Sequence, residues 1–212
     1  IYFISAQQTL DRFSMLGKGN PKTQQELEKY IGLLDFVQEE GAVSRLVPFR
    51  TNYAQQKNVD TEISINALTN NYKYGNIINP NVYFDYYSAR SMVGFRYPFL
   101  KTVNTLMENN EREKAIQLTD TYFEKFPIST GTLDPVSIKM AAVYVNTNHT
   151  AGFKWIEKLY SEFELQNNYL SKIKSKGKYL STDGNNLLKY TRNSLTELKK
   201  LNEKLNNTSI QN

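Results

Sequence analysis

Two stretches of this chain can be laid over one another at an offset of 37 residues, Asn109–Phe126 over Asn146–Phe163. Ala115 then falls on Gly152, Ile116 on Phe153, Leu118 on Trp155, Tyr122 on Leu159, Phe123 on Tyr160 and Phe126 on Phe163. Upstream, Phe99, Val103, Leu106 and Met107 fall on Val136, Met140, Val143 and Tyr144. Spacings of three and four are those of a helix with one apolar face, so each unit reads as two amphipathic helices joined by a polar turn. Such a hairpin cannot bury its apolar face alone, and stacking against a neighbour completes the core. The small residues Ala115 and Gly152 let helices cross closely. Asp134-Pro135 suits the start of a helix, with Asp as N-cap and Pro at the first position. A third, degenerate pair is expected over Leu165–Leu180 and Asn185–Leu205, split at Ser181-Thr182-Asp183-Gly184.

The array resembles tetratricopeptide repeats. Ala115 and Pro127 fit that pattern, whereas Thr119 stands where a large aromatic is usual and Tyr122 where a small residue is. The fold class expected is therefore mainly α: tetratricopeptide-like hairpins over 96–212, with a small N-terminal α/β cap over 1–60 and an aromatic-rich connecting segment over 61–95.

The cap is predicted as strand, helix, strand. Tyr2–Ser5 is the first strand. Leu27, Tyr30, Ile31, Leu34 and Val37 predict a helix from Thr23 to Glu40, ended by Gly41. Val43–Pro48 alternates like a second strand, with Pro48 at its end or edge. Arg45 is expected to pair with a carboxylate such as Asp60 or Asp85. Gly17-Lys18-Gly19 lacks the third glycine and the apolar helix of a phosphate cradle, and reads as a surface loop. Asp60 to Asn71 predicts a short helix with Ile63, Ala67 and Leu68 on its apolar side.

Composition narrows the chemistry. The 212 residues include no Cys and one His, which excludes a disulfide framework, a thiol nucleophile and a His-based zinc site, so no metal and no cofactor is expected. His149 has no sequence partner for a triad. The carboxylates Glu39-Glu40, Glu108, Glu111 and Glu113 sit at predicted helix ends and turns, where solvated acids are ordinary, and supply no facing pair for hydrolysis. The mean hydropathy is −0.57, and no apolar run approaches the roughly 20 residues of a membrane span.

The net charge of +5 is uneven. Residues 168–212 carry 9 basic and 3 acidic side chains, whereas the rest of the chain is nearly balanced. Lys172, Lys174, Lys176 and Lys178, then Lys189, Arg192, Lys199, Lys200 and Lys204, form a basic face that is either simply solvated or set against acidic phospholipid or protein. Nucleic acid is not expected, since the tyrosines lie upstream of the lysines instead of alternating with them.

Residues 61–95 hold the candidate site. Tyr72, Tyr74, Tyr83, Phe84, Tyr86, Tyr87 and Phe95 cluster near Arg90 and Arg96, and aromatic faces with charged donors suit a peptide or sugar. Tyr83, Tyr87, Arg90 and Arg96 are the predicted ligand contacts. The alternative is that these rings only pack the segment onto the core.

The order Ile1-Tyr2-Phe3, Leu33-Leu34-Asp35-Phe36, Glu40-Gly41 and Arg45-Leu46-Val47-Pro48 is similar to the C-terminal region of a family of large multi-pass membrane proteins. Asp60-Thr61, Pro80-Asn81-Val82-Tyr83, Phe95-Arg96 and the hairpin from Asn110-Glu111-Arg112-Glu113-Lys114-Ala115 to Phe126-Pro127 extend the likeness. That family, common in Bacteroidetes, was long catalogued as a domain of unknown function and is regarded as protein O-mannosyltransferase-like. The resemblance implies an upstream membrane region that holds the sugar-donor site and the catalytic acid. It also implies a periplasmic position for this domain, tethered to the inner membrane. The chain, opening on an apolar strand, itself reads as part of a longer protein.

The function expected on this reading is a non-catalytic accessory domain of a glycosyltransferase-like protein that binds or positions acceptor polypeptide. Its partners are then the acceptor or the membrane portion of its own chain, with an acidic membrane surface in reach of the basic C-terminal helix. The alternatives are a purely structural or oligomerisation cap, and a free periplasmic helical-repeat binding protein.

Overall fold

A computed structural model describes residues 2–3, 34–51, 58–79, 81–128, 134–176 and 180–210. The Gly17-Lys18-Gly19 loop and most of the predicted Thr23–Glu40 helix lie outside the described residues. The fold is mainly helical with a small antiparallel sheet on its N-terminal side. In chain order it has β1 (Tyr2–Phe3), a 3-10 turn (Leu34–Phe36), β2 (Val37–Glu40), β3 (Val43–Leu46) and α1 (Thr61–Asn66), which runs into a π turn (Ala67–Asn71). Then follow α2 (Tyr86–Glu108), α3 (Arg112–Lys125), α4 (Pro135–Asn146), α5 (Ala151–Ser175) and α6 (Thr182–Ile210). The chain divides into two compact units, residues 1–73 with 97–118, and residues 74–96 with 119–212.

In the first unit β3 is central, flanked by β1 and β2, with Tyr2 opposite Arg45 and Val37 opposite Leu46. The helix expected up to Glu40 is corrected: Val37–Glu40 is a strand. Gly41-Ala42 is a two-residue hairpin loop, and Gly41 at φ +68 supplies the positive φ that its first position needs. Its N–H donates to Ser64 Oγ at 2.8 Å and that of Ala42 to the Tyr72 hydroxyl at 2.5 Å. Ser64, fully buried, therefore turns inward where the sequence suggested Ile63, which is 40% exposed. Arg45 pairs with Glu40 at 2.7 Å, not with Asp60 or Asp85. Asp60 caps α1 and accepts from Gln38, while Asp85 accepts from Ser88 at the start of α2. Lys101 holds both carboxylate oxygens of Glu39, at 2.6 and 2.8 Å.

α2 and α4 end in the same way. Asn110 (φ 62) and Asn148 (φ 55) are left-handed. Asn110 N donates to Met107 O and Glu111 N to Leu106 O, and the same pair of bonds recurs as Asn148 N to Val145 O and His149 N to Tyr144 O. This is the Schellman arrangement, with Asn in the place glycine usually takes. It pairs Asn110 with Asn148, so the two turns match at an offset one residue longer than the sequence overlay. The buried positions of α3 and α5 keep the overlay's register, with Ala115, Thr119, Tyr122 and Phe126 matching Gly152, Ile156, Leu159 and Phe163. The stretch from the left-handed asparagine to the buried small residue is thus one residue shorter in the second hairpin. Asn148→Ala is expected to cost about 1 kcal/mol, because alanine tolerates the left-handed region poorly, and Asn148→Gly to cost nothing. Thermal melts would show the difference as about 3 °C.

The second unit is built on α4, α5 and α6, which pack on one another. Asp134 accepts from Val136 N and Ser137 N, with Pro135 next, as the sequence suggested. A Cβ on Gly152 would lie 3.0 Å from Leu205 and 3.1 Å from Tyr144 Cβ, so α5 crosses its neighbours at a distance that only glycine allows comfortably. The expected third pair does not begin at Leu165: α5 runs unbroken from Ala151 to Ser175, with Leu170 continuing its buried face. No helix among the described residues is long and apolar enough to cross a membrane.

Candidate functional site

Of the four predicted contacts, the side chains of Tyr83 and Arg96 are described, the first exposed and the second buried. Tyr83 stands in an irregular stretch before α2 and is 88% exposed. Tyr87 and Arg90 lie in the first turns of α2, their side chains outside the described ones. Arg96 is in the interior, 4% exposed, and is corrected from a surface donor to a core residue. Its Nη1 is bonded to Asp134 Oδ2, and its guanidinium lies 5.2 Å from the Phe126 ring centroid. A guanidinium needs hydrogen-bond acceptors when it leaves water, and a carboxylate already fixed as a helix cap is a preorganised one.

Around this pair Asp134, Ser137 and Tyr122 share further hydrogen bonds. Asp134 Oδ1 accepts from Val136 N at 2.7 Å and Ser137 N at 3.3 Å. Ser137 Oγ and the Tyr122 hydroxyl are 2.8 Å apart. Tyr74 meets Phe126 edge-on, with centroids 5.5 Å apart, so one ring of the aromatic segment does pack onto the core.

A column of rings runs beside this cluster. His149 stacks on Tyr144 at 5.5 Å, Tyr144 on Phe123 at 6.1 Å and Phe123 on Trp155 at 4.2 Å. The Tyr144 hydroxyl donates to Asp120 at 2.5 Å, and His149 Nδ1 accepts from Ala151 N at 3.3 Å. Phe123 occupies one face of the indole, so Lys154 and Lys158, with Nζ 5.2 and 5.0 Å from the ring centroid, cover the other. The sequence overlay shows that the positions of Phe123, Tyr144 and Trp155 are apolar. It does not show that rings from three helices fall in one line, because the column is assembled between elements.

Burial holds the Tyr122 proton well above the ordinary tyrosine range, partly offset by the Arg96 charge. Burial does the same for Tyr144, reinforced by the bond to Asp120. Both groups keep their proton in the folded state at a pH where the unfolded chain has released it, so stability is full below about pH 10 and falls above it. The expected slope is up to about 1.4 kcal/mol per pH unit from Tyr122, with Tyr144 adding in the same direction. Denaturant titrations in steps from neutral to alkaline pH should show a shallower loss in Tyr144→Phe.

Among the described residues no group of His, Asp and Glu is placed to hold a metal ion. Chemically, the second unit offers a buried polar cluster and two kinds of exposed surface, the aromatic stretch around Tyr83 and the outer face of α5. No family model, no curated protein and no solved structure matches this chain.

Proposed function

We propose that this chain is a tetratricopeptide-like, non-catalytic binding domain that positions acceptor polypeptide for a membrane glycosyltransferase-like parent of the O-mannosyltransferase kind. The observation that carries the repeat reading is the recurrence of one hairpin device. An asparagine-capped Schellman turn is followed, in α3 and again in α5, by a buried small residue, Ala115 or Gly152. Repeated hairpins of this design leave broad exposed surfaces to which peptides bind. Tyr83 supports the binding half of the proposal: an aromatic ring 88% in solvent is a large apolar contact awaiting a partner. The periplasmic position and the membrane tether belong to the same proposal and rest on the sequence resemblance alone.

The test is a fluorescence anisotropy titration of the whole chain into a library of labelled unstructured peptides. Micromolar or weaker binding is expected, since a shallow surface buries little area and the peptide loses entropy on ordering. Tyr83→Ala should weaken it while leaving the circular dichroism spectrum unchanged. No binding by any peptide, or binding indifferent to Tyr83, would favour the structural cap. The tether is checked separately, by the hydropathy of the gene upstream of Ile1: several apolar segments of about 20 residues support it, and a single short one opposes it.

A further inference from the structure

The outer row of α5 combines exposed apolar side chains with lysines. Lys154, Lys158, Leu165, Tyr169 and Lys172, with Lys176 at the C-cap, follow one another at steps of four, seven, four, three and four residues, which keeps them on one helix face, and all are exposed. Leu165 is 66% and Tyr169 65% exposed, a large apolar pair one turn apart. Two lysines precede the pair and two follow it, over about 33 Å of helix. The nearest carboxylate is Glu162, half-buried between Lys158 and Leu165 at the edge of the row.

We propose that this row is a docking face for an anionic lipid surface, with Leu165 and Tyr169 entering the headgroup boundary and the lysines lying among the headgroups. Three considerations select that occupant. A second copy of the chain would set lysine against lysine in either orientation. A protein partner that recognises a specific site needs roughly 800 Å² from each side, and two side chains on one convex helix face cannot provide it. A bilayer needs no groove, accepts protruding side chains and draws lysines whose stems can lie along it. The proposal stands on this row and does not depend on peptide binding near Tyr83.

The experiment is co-sedimentation of the whole chain with vesicles of phosphatidylcholine containing phosphatidylserine, against vesicles of phosphatidylcholine alone, with poly-glutamate as a second anionic probe. Sedimentation with the anionic vesicles only, weakened by salt, is expected. Leu165→Ser with Tyr169→Ser should lower partitioning about tenfold, and each Lys→Gln change within the row about fivefold. These side chains are exposed, so the variants should fold, which circular dichroism verifies. Failure to sediment with anionic vesicles at low salt would overturn the proposal. So would full partitioning of the Leu165/Tyr169 variant with loss only in Lys189→Gln or Lys200→Gln, which would move the contact to α6. Poly-glutamate binding as tight as vesicle binding would assign the row to an acidic polypeptide instead.

Discussion

Arg96→Ala is expected to destabilise the protein by about 3–5 kcal/mol, the largest effect of any single polar substitution here. Asp134 is 4% exposed, and without the guanidinium its charge would stay in the interior with only two backbone N–H groups to hold it. The magnitude comes from that stranded charge, not from the intrinsic worth of the pair, and the distinction can be measured. Asp134→Asn keeps a side-chain oxygen for the cap of α4, so the double variant Arg96→Met with Asp134→Asn should recover most of the loss. For a chain of this length the single change lowers the melting temperature by about 10 °C. A loss below about 1 kcal/mol for Arg96→Ala would show that water reaches the pair and that the cluster is not a closed core.

The second large effect is at Phe123. It is 2% exposed and stacks on both Tyr144 and Trp155, so truncation to alanine opens a cavity where rings from α4 and α5 meet. The expected cost is about 3–5 kcal/mol. The chain has a single tryptophan, so its emission reports the site directly. Phe123→Ala should shift Trp155 emission to longer wavelength in the folded state, as the ring face that Phe123 covered meets water. Phe123→Leu keeps most of the volume and loses the stacking, and should cost less than about 1.5 kcal/mol. An unchanged emission maximum in Phe123→Ala would mean that the indole is held by its lysines and its own helix, not by the column.

Much of the helical part was legible in advance, for a local reason. Asp134-Pro135 carries its own cap chemistry, and Ala115, Leu118, Tyr122 and Phe126 keep one face at any tertiary arrangement of α3. The overlay placed the second helices of both units in the correct register. It missed the turns by one residue, because Asn109-Asn110 in one turn and Asn146-Thr147-Asn148 in the other leave open which asparagine takes the left-handed position. Only the bonds from Glu111 to Leu106 and from His149 to Tyr144 decide it. The candidate site was legible only in part. Tyr83 lies at the surface, but Arg96 was unreadable as a core residue, since its partner is far along the chain and charge in a sequence carries no sign of burial.

Val37–Glu40 makes the physical division plain. Leu34 and Val37 fit a helical period, and by local preference alone a helix there is reasonable. The strand wins because β3 offers a ladder of backbone hydrogen bonds and because Ser64 and Tyr72 take the N–H groups of the turn. These partners are brought up by the fold and leave no periodic trace. By itself the sequence determined the mainly helical class, the cap of α4 and the basic C-terminal end, all set by neighbours within a few residues. The tertiary structure alone decided the hairpin of β2 and β3, the unbroken length of α5, the burial of Arg96 against Asp134 and the ring column. In each of these the stabilising energy is shared between residues that meet only after the chain has folded.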